Sequence, residues 1–323
     1  RWNCDWSSDV CSSDLMKISD YKSYFTDSGR SSLRLFLRGS GNAEKKYLLP
    51  DFFCAVIENI FKAEGVNYSF YRVNQDLTFN IGEILKEDFD VLYIINYFGK
   101  QAKMESSLLD NKIVIEDNVF FFNYDNNLNY KNWFAFNSFR KISKLSSGSM
   151  IKTNLKINTE LIKISDAPFH HLKNIAKNIK YEYINNNLYT EQDYLEKFNE
   201  AEESINIQSD IFTMNSKNIS LLLSLNINTE QEIKKKRFKK LLNLFSDECI
   251  NKEGQYYSYF VISIANRDEF RKKLMNDNIF LPIHWPKSTT HNELYSNIIS
   301  IPLFEGYSDL EFSHIIDKIK GIK

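Results

Sequence analysis

Short apolar runs alternate with amphipathic stretches between Lys46 and Thr153. The runs are apolar on both faces and are separated by segments of helix length, which is typical of a parallel sheet covered by helices on both sides. We predict a helix over Phe52–Ala63 and strands over five segments: Tyr47–Pro50, Tyr68–Val73, Val91–Phe98, Lys112–Asp117 and Asn132–Phe139. The pattern therefore indicates an α/β fold with a mostly parallel central sheet.

Polar residues follow three of these apolar runs near the point where each strand is expected to end. They are the stretch Asn96–Gly99, the acid Asp117 and the stretch Ser138–Lys141. Because ligands bind at the carboxyl ends of the strands in such sheets, we expect these residues to surround one crevice.

The second half of the chain has a different pattern. Glu191–Ile205 reads as one amphipathic helix that links the sheet to a smaller C-terminal domain. Gln255–Asn266 predicts a strand and Arg267–Asp277 a helix. Ser308, with Glu311 three residues later, is a capping box that starts the last helix. Short strands mixed with helices predict an α+β domain.

The first residues do not belong to either pattern. Asp5–Leu15 reads DWSSDVCSSDL, the peptide that a common sequencing adapter encodes in one reading frame. We therefore expect residues 1–15 to be a non-native tail and Met16 to be the first native residue. The rest of the chain is predicted to form a large domain over residues 16–190, followed by the linking helix and small domain over residues 191–323.

Composition narrows the function classes. Basic residues number 41 and acidic residues 42, so the net charge is −1, which gives no basis for binding nucleic acid or an anionic membrane. No apolar run approaches the roughly 20 residues of a membrane span. Outside the tail only Cys54 and Cys249 remain, too few for a disulfide framework. We expect a cytoplasmic protein with no nucleic-acid or membrane partner.

Four segments, in this order and spacing, resemble the DegT/DnrJ/StrS family of sugar aminotransferases, and the resemblance is weak between residues 153 and 255. The segments are residues 28–37 (SGRSSLRLFL), 47–57 (YLLPDFFCAVI), 114–121 with 137–150 (VIEDNVFF and NSFRKISKLSSGSM), and 266–286 (NRDEFRKKLMNDNIFLPIHWP). The resemblance implies a three-layer fold-type-I aminotransferase fold, pyridoxal 5'-phosphate as cofactor, and a homodimer. The implied reaction transfers an amino group from an amino acid such as glutamate to a keto-sugar nucleotide, in polysaccharide or related sugar biosynthesis.

The resemblance also implies a lysine that forms a Schiff base with the cofactor. Lys141 matches this lysine, because Ser138 precedes it, Gly148 follows seven residues later, and the pair Arg140-Lys141 is typical of one branch of the family. Lys144 is the alternative. If no cofactor is bound, the pair Arg140-Lys141 is interpreted as a solvent-exposed basic turn.

The remaining cofactor contacts follow from the same resemblance. Asp117 matches the acid that holds the pyridine nitrogen protonated, although an Asp that caps the following segment is the plainer interpretation. The phosphate would be held by a glycine turn that opens a helix, completed by Ser138 and Arg140. The residues of this turn are Gly29, Arg30, Ser31 and Ser32.

Several positions depart from the family pattern. Phe120 stands where a polar partner of the cofactor's phenolic oxygen is usual, Cys54 where an aromatic residue stacks on the ring, and Asn96 where a His is frequent. The segment after the lysine reads Ser147-Gly148-Ser149. These departures favour a second hypothesis, a catalytically inactive family member that acts as a binding or regulatory partner.

Three further features are interpreted structurally. His284-Trp285-Pro286 matches a motif near the family's active-site mouth, but we favour a packed turn with Trp285 in the core. The pair His170-His171 has no companions at ligand spacing, so we predict a surface pair and no metal site. Cys54 reads as a buried helix cysteine.

Overall fold

The structure is a computed structural model that describes residues 21–124, 130–286 and 289–322. The tail expected at residues 1–15 lies outside these residues and stays a prediction. Among the described residues, no helix combines the length and the apolar character that crossing a membrane requires.

Seven strands form the central sheet of the described chain. They are β1 (Lys22–Thr26), β2 (Tyr47–Pro50), β3 (Tyr68–Tyr71), β4 (Val91–Ile95), β5 (Ile113–Asp117), β6 (Trp133–Phe136) and β7 (Ser149–Thr153). Their order across the sheet is β1-β7-β6-β5-β4-β2-β3. Neighbours from β3 to β6 are parallel, whereas β7 is antiparallel to β6 and β1. Every residue of β4 and β6 is buried, which explains their continuous apolar sequences. The predicted mostly parallel α/β fold is confirmed.

Helices separate and follow these strands. Within the described residues they are α1 (Gly29–Gly39), α2 (Ala55–Ala63), α3 (Ile81–Ile84), α4 (Phe139–Ile142), α5 (Pro168–Asn186), α6 (Glu191–Ile207), α7 (Ser216–Ser224), α8 (Ile227–Leu242), α9 (Arg267–Asn276), α10 (Leu294–Asn297) and α11 (Asp309–Ile322). The predicted capping box is present, since Ser308 Oγ accepts from the Glu311 N–H and Glu311 Oε2 accepts from the Ser308 N–H.

The C-terminal part has its own hydrophobic core. Strands β10 (Tyr259–Ser263) and β11 (Ile298–Pro302) pair antiparallel and pack with α8, α9 and α11 around residues such as Phe260 and Ile301. A further short parallel pair joins β8 (Ile162–Lys163) to β9 (Ile211–Phe212). The smaller α+β part predicted from the sequence is thus present, while the boundary at residue 190 stays a prediction.

The predicted strands of the sheet are right in place, but three of the five are too long at their carboxyl ends. The run predicted over Val91–Phe98 leaves the sheet after Ile95, because Phe98 and Gly99 take positive φ values of 51° and 81° in a turn. The strand expected over Asn132–Phe139 stops at Phe136, since α4 follows at once. Apolar residues therefore continue into buried loops at the edge where the candidate site lies.

Candidate active site

A cavity of about 110 Å³ opens at the carboxyl ends of β5 and β6. Its lining includes most of the predicted site residues: Gly29, Arg30, Cys54, Asp117, Ser138, Arg140 and Lys141. We call it the main cavity. A larger cleft of about 740 Å³, lined by residues such as Asp76, Lys100 and Glu253, contains none of them.

Lys141 lies on the one-turn helix α4 between β6 and β7. Among the described residues, no group accepts a hydrogen bond from its Nζ or forms an ion pair with it. Although the residue as a whole is exposed, desolvation of its amine by the surrounding protein and the nearby charge of Arg140 lower the pKa of Lys141. A larger fraction of this amine is therefore uncharged and nucleophilic than for an ordinary lysine. Lys144, the alternative, does not line the main cavity.

Asp117 is the last residue of β5 and is buried. Its Oδ2 accepts from the Tyr93 hydroxyl at 2.8 Å and its Oδ1 from the Val119 N–H at 3.0 Å. Burial raises the pKa of Asp117 to about 6, although both hydrogen bonds oppose the rise. The carboxylate thus faces the same cavity as Lys141, positioned by two donors.

The N-terminus of α1 forms one wall of the main cavity. Ser28 caps the helix, because its Oγ accepts from the Ser31 N–H at 3.2 Å. A Cβ on Gly29 would lie 3.2 Å from the Asn137 carbonyl oxygen, so glycine allows the turn to approach β6 closely. The Arg30 side chain has a buried Nη1 without a hydrogen-bond partner in the described chain. A helix N-terminus next to an unpaired guanidinium favours an anion.

A cluster of basic residues surrounds one carboxylate beside this wall. Arg140 Nη1 lies 2.5 Å from Glu202 Oε1, and Lys173 contacts the same carboxylate. Burial alone would raise the pKa of Glu202, but Arg140 and Lys173 outweigh burial and bring it to about 2. Burial and Arg140 lower the pKa of Arg30 to about 10. The one acid, Glu202, thus has three basic side chains around it, those of Arg30, Arg140 and Lys173. Arg30 and Arg140 also line the main cavity, so the excess positive charge lies there.

Four predicted contacts lie away from the cavity lining. Ser32 Oγ bonds Thr26 and Ser149 at 2.7 Å each, and Ser31 Oγ accepts from Ser28, so both hydroxyls are used inside the fold. The Asn96 amide bonds Asn118 and the Ala102 N–H. Phe120 packs against Phe98, at 4.8 Å between ring centroids, in a buried aromatic group. These side chains therefore lie behind the cavity lining in this structure, and a contact between them and a cofactor stays a prediction.

Two expectations need correction. Cys54 is half-buried at the N-cap of α2 and faces the main cavity, rather than lying buried within the helix. His170 is buried, not on the surface, and its Nε2 lies 3.1 Å from Asn218 Nδ2. The ring therefore lies against α7, which contributes Asn218.

Three contributors to the site were not predicted. Tyr93 lies within the apolar run of β4, where nothing marks it as the partner of Asp117. Trp285 is buried as expected, yet it also lines the main cavity, 5.1 Å from the Phe52 ring. Glu202 lies on the predicted linking helix. Residues three apart lie on the same face of a helix, so its only signal in the sequence is that it shares a face with Ile205, which lines the main cavity.

Comparisons of the sequence with protein-family models and with curated proteins gave no match. Solved structures are similar in fold. NtdA from Bacillus subtilis with bound PMP has a TM-score of 0.65 at 13% identity and covers 93% of this chain and 73% of its own. DesV from S. venezuelae has a TM-score of 0.61 at 14% identity, and the match covers 93% of this chain and 84% of DesV. A DegT DnrJ EryC1 StrS aminotransferase from Brucella abortus has a TM-score of 0.57 at 15% identity, and the match covers 93% of this chain and 85% of that protein. The chain therefore has the fold of these solved structures, one of which is described as an aminotransferase.

Proposed function

We propose that this protein is a pyridoxal-phosphate-dependent aminotransferase. The observation that carries the proposal is the unpaired Lys141 amine in one cavity with the buried Asp117 carboxylate. The fold is shared with NtdA with bound PMP, with a DegT DnrJ EryC1 StrS aminotransferase and with a putative sugar aminotransferase from Streptococcus pneumoniae in its PLP form.

The residues present fit this cofactor. The orphaned Arg30 Nη1, the start of α1 and the Ser138 hydroxyl supply donors for a phosphate. Asp117 supplies an acceptor for the pyridinium N–H, and Lys141 supplies an amine. Cys54 and Val119 line the same cavity and would contact the ring.

Pyridoxal phosphate, when bound, supplies an electron sink that makes the transfer of an amino group possible. The chain's own residues prepare it. Asp117, held by Tyr93 and the Val119 N–H, keeps a negative charge where the ring nitrogen needs one. Lys141 Nζ, with its lowered pKa, can take up and return protons. Trp285 and Leu33 exclude water from the cavity wall.

The finer assignment is part of the proposal. We infer that the amino group passes from an amino acid to a keto-sugar nucleotide in polysaccharide or related sugar biosynthesis, in a cytoplasmic homodimer with a large domain over residues 16–190. The resemblance of four sequence segments supports it, as does the similarity to a putative sugar aminotransferase.

A second candidate is a relative that binds the cofactor or a partner without turnover. Two observations favour it. Cys54 stands at the cavity where the family has a stacking aromatic ring, and Phe120 packs into the aromatic group rather than offering a polar contact.

The test is to add pyridoxal phosphate to the purified protein, record its visible absorbance, reduce with borohydride and map the modified peptide. We expect label on Lys141 and loss of the absorbance in Lys141→Arg, because Arg cannot form the covalent bond. Lys144→Arg is the control and should retain both signals. Label on another lysine, or no label on folded protein, would contradict the assignment. Label without transamination of any amino acid would favour the second candidate.

A second prediction concerns Glu202. Since its carboxylate competes with an anionic ligand for Arg140 and Lys173, we expect Glu202→Gln to bind pyridoxal phosphate roughly threefold to fivefold more tightly, the effect of one partly exposed ion pair. Titration of the absorbance gives the dissociation constants. Pyridoxal, which lacks the phosphate, should bind both proteins equally, and Glu203→Gln on the exposed face of α6 should match the wild type. An equal gain for pyridoxal would refute the explanation.

A further inference from the structure

The turn that carries Lys141 has little stability of its own. Helix α4 is a single turn of four residues, and the side chain of its N-cap residue Ser138 makes no capping hydrogen bond. A helix of this length keeps its shape only with support from the rest of the fold. The support comes from residues 146–148, which we call the support loop, because the Phe139 N–H donates to the Gly148 carbonyl at 3.0 Å. The position of Lys141 therefore depends on the position of the support loop.

One buried side chain, that of Asn218, holds the support loop. Asn218 lies in the first turn of α7 and is 3% exposed. Its Nδ2 donates to Ser147 Oγ at 2.5 Å and lies 3.3 Å from Ser146 Oγ. Both serines are buried as well, so these hydrogen bonds lie in a region of low dielectric constant, where they are strong. Asn218 thus joins α7 to the loop that supports α4.

His170 determines which way the Asn218 amide points. The His170 ring is buried, and its Nε2 lies 3.1 Å from Asn218 Nδ2 and 3.4 Å from Asn174 Nδ2. Both neighbours are amide donors, so Nε2 accepts, which requires a neutral ring with its proton on Nδ1. Burial lowers the pKa of His170 and so favours the neutral ring. With Nε2 as an acceptor, Asn218 Nδ2 faces both His170 and Ser147.

Two contacts to the main chain hold the segment on either side of the two serines. Before them, the Lys144 carbonyl accepts from Lys177 Nζ of α5 at 2.9 Å. After them, the Gly148 N–H donates to the Asp27 carbonyl at 2.6 Å. Asn218 holds the part between these points through side chains. A substitution of Asn218 therefore releases the middle of the segment while both of its ends stay held.

We propose that Asn218 and His170 are positioning residues for Lys141. A chain of hydrogen bonds runs from His170 on α5 through Asn218 on α7 to Ser147, and the support loop then holds the first N–H of α4. Neither Asn218 nor His170 lines the main cavity, so they act through the loop and not by contact with a ligand. The effect on cofactor attachment rests on the proposed function, whereas the effect on the order of α4 does not.

Hydrogen exchange with mass spectrometry measures the order of α4 without a cofactor. We expect Asn218→Leu, which has a similar size but no hydrogen-bonding groups, to speed exchange over residues 139–148 about tenfold, the order of one lost buried hydrogen bond. His170→Leu should act in the same way. His170→Gln, whose amide oxygen accepts a hydrogen bond, should restore most of the protection. Asn178→Leu, at an exposed asparagine of α5, is the control and should exchange like the wild type.

Two ligands test the position of the Lys141 amine. Pyridoxal phosphate needs this amine for its covalent bond, whereas pyridoxine phosphate has the same ring and phosphate but no aldehyde. We expect Asn218→Leu to slow the appearance of the pyridoxal phosphate absorbance about tenfold or more, because a misplacement of the reacting group by roughly 1 Å is costly. Pyridoxine phosphate should bind this variant and the wild type equally, as followed by the fluorescence of Trp285, which lines the main cavity. A general loosening of the protein would weaken both ligands.

Thermal melting checks that each variant is folded, and Ser147→Ala, which removes the accepting hydroxyl, replaces Asn218→Leu if that variant does not fold. Unchanged exchange over residues 139–148, or equal losses for the two ligands, would overturn the proposal. If the wild type takes up no pyridoxal phosphate but the exchange effect and its recovery in His170→Gln are present, only the proposed function is refuted. Normal labelling of Lys141 with unchanged exchange in Asn218→Leu refutes only the positioning role.

Discussion

Gly99→Ala is expected to destabilise the protein by about 3 kcal/mol or more, the range of severe backbone and packing changes. A Cβ at this position would lie 1.8 Å from the Tyr256 carbonyl oxygen, and the residue has a φ of +81°. The Gly99 carbonyl also accepts the N–H groups of Gln255 and Tyr256, at 2.7 Å and 3.1 Å. Alanine therefore forces apart the turn after β4 and the segment before β10, because neither backbone can yield alone.

Thermal or urea unfolding measures this effect, and a fall in Tm of roughly 4–5 °C or more is expected for a chain of this size, because the entropy of unfolding grows with chain length. Gly41→Ala is the matched control, since Gly41 has a φ of +71° with open space around its Cβ position. It should cost only about 1 kcal/mol, the penalty of the left-handed conformation. Equal losses in the two variants would show that the contact with Tyr256 is unimportant.

Glu116→Gln is expected to stabilise the protein above neutral pH, on the order of 3 kcal/mol as an upper limit. Glu116 is buried within β5, and burial raises its pKa to about 7. The folded state therefore holds a proton that the unfolded chain releases near its usual pKa of about 4.3. As pH rises from about 4.3 to about 7, ionisation of Glu116 lowers the free energy of the unfolded state but not that of the folded state. The free energy of unfolding of the wild type therefore falls until about pH 7.

Glutamine keeps the shape of the side chain but has no proton to lose, so this loss disappears. Urea unfolding of both proteins at pH 4 and pH 8 gives the comparison: a small difference in stability at the lower pH and a clearly more stable variant at the higher one. Asp117, whose pKa burial raises to about 6, titrates in the same window in both proteins and cancels in the difference. Glu87→Gln, at an exposed glutamate, is the control. If the free energies of unfolding of Glu116→Gln and of the wild type change with pH by the same amount, the prediction is wrong.

Local sequence was sufficient to predict much of the scaffold. Strands such as β4 are buried on both faces, so their apolar runs are continuous and easily recognised. Asp117 follows such a run directly, and Lys141 follows the next one. Because parallel neighbours end at one edge, their order along the chain already implied that both side chains share a crevice.

Strand β7 and helix α5 were missed because little in their composition distinguishes them from loops. β7 reads SMIKT, which mixes polar and apolar residues without a regular alternation, and it lies antiparallel beside β1. α5 is rich in Asn and Lys, and its stability depends on packing against α6. Whether such segments form a strand or a helix depends on the elements against which they pack.

By itself, the sequence determined the kind of sheet, its approximate strands and the place of Asp117 and Lys141 at its carboxyl edge, because these depend on local periodicity. Only the tertiary structure decided that Tyr93 holds Asp117, that Glu202 occupies the basic cluster and that Trp285 closes the cavity. These contacts join residues far apart in the chain. Hydrophobic periodicity reports which face of an element is buried, but not which distant side chain meets it there.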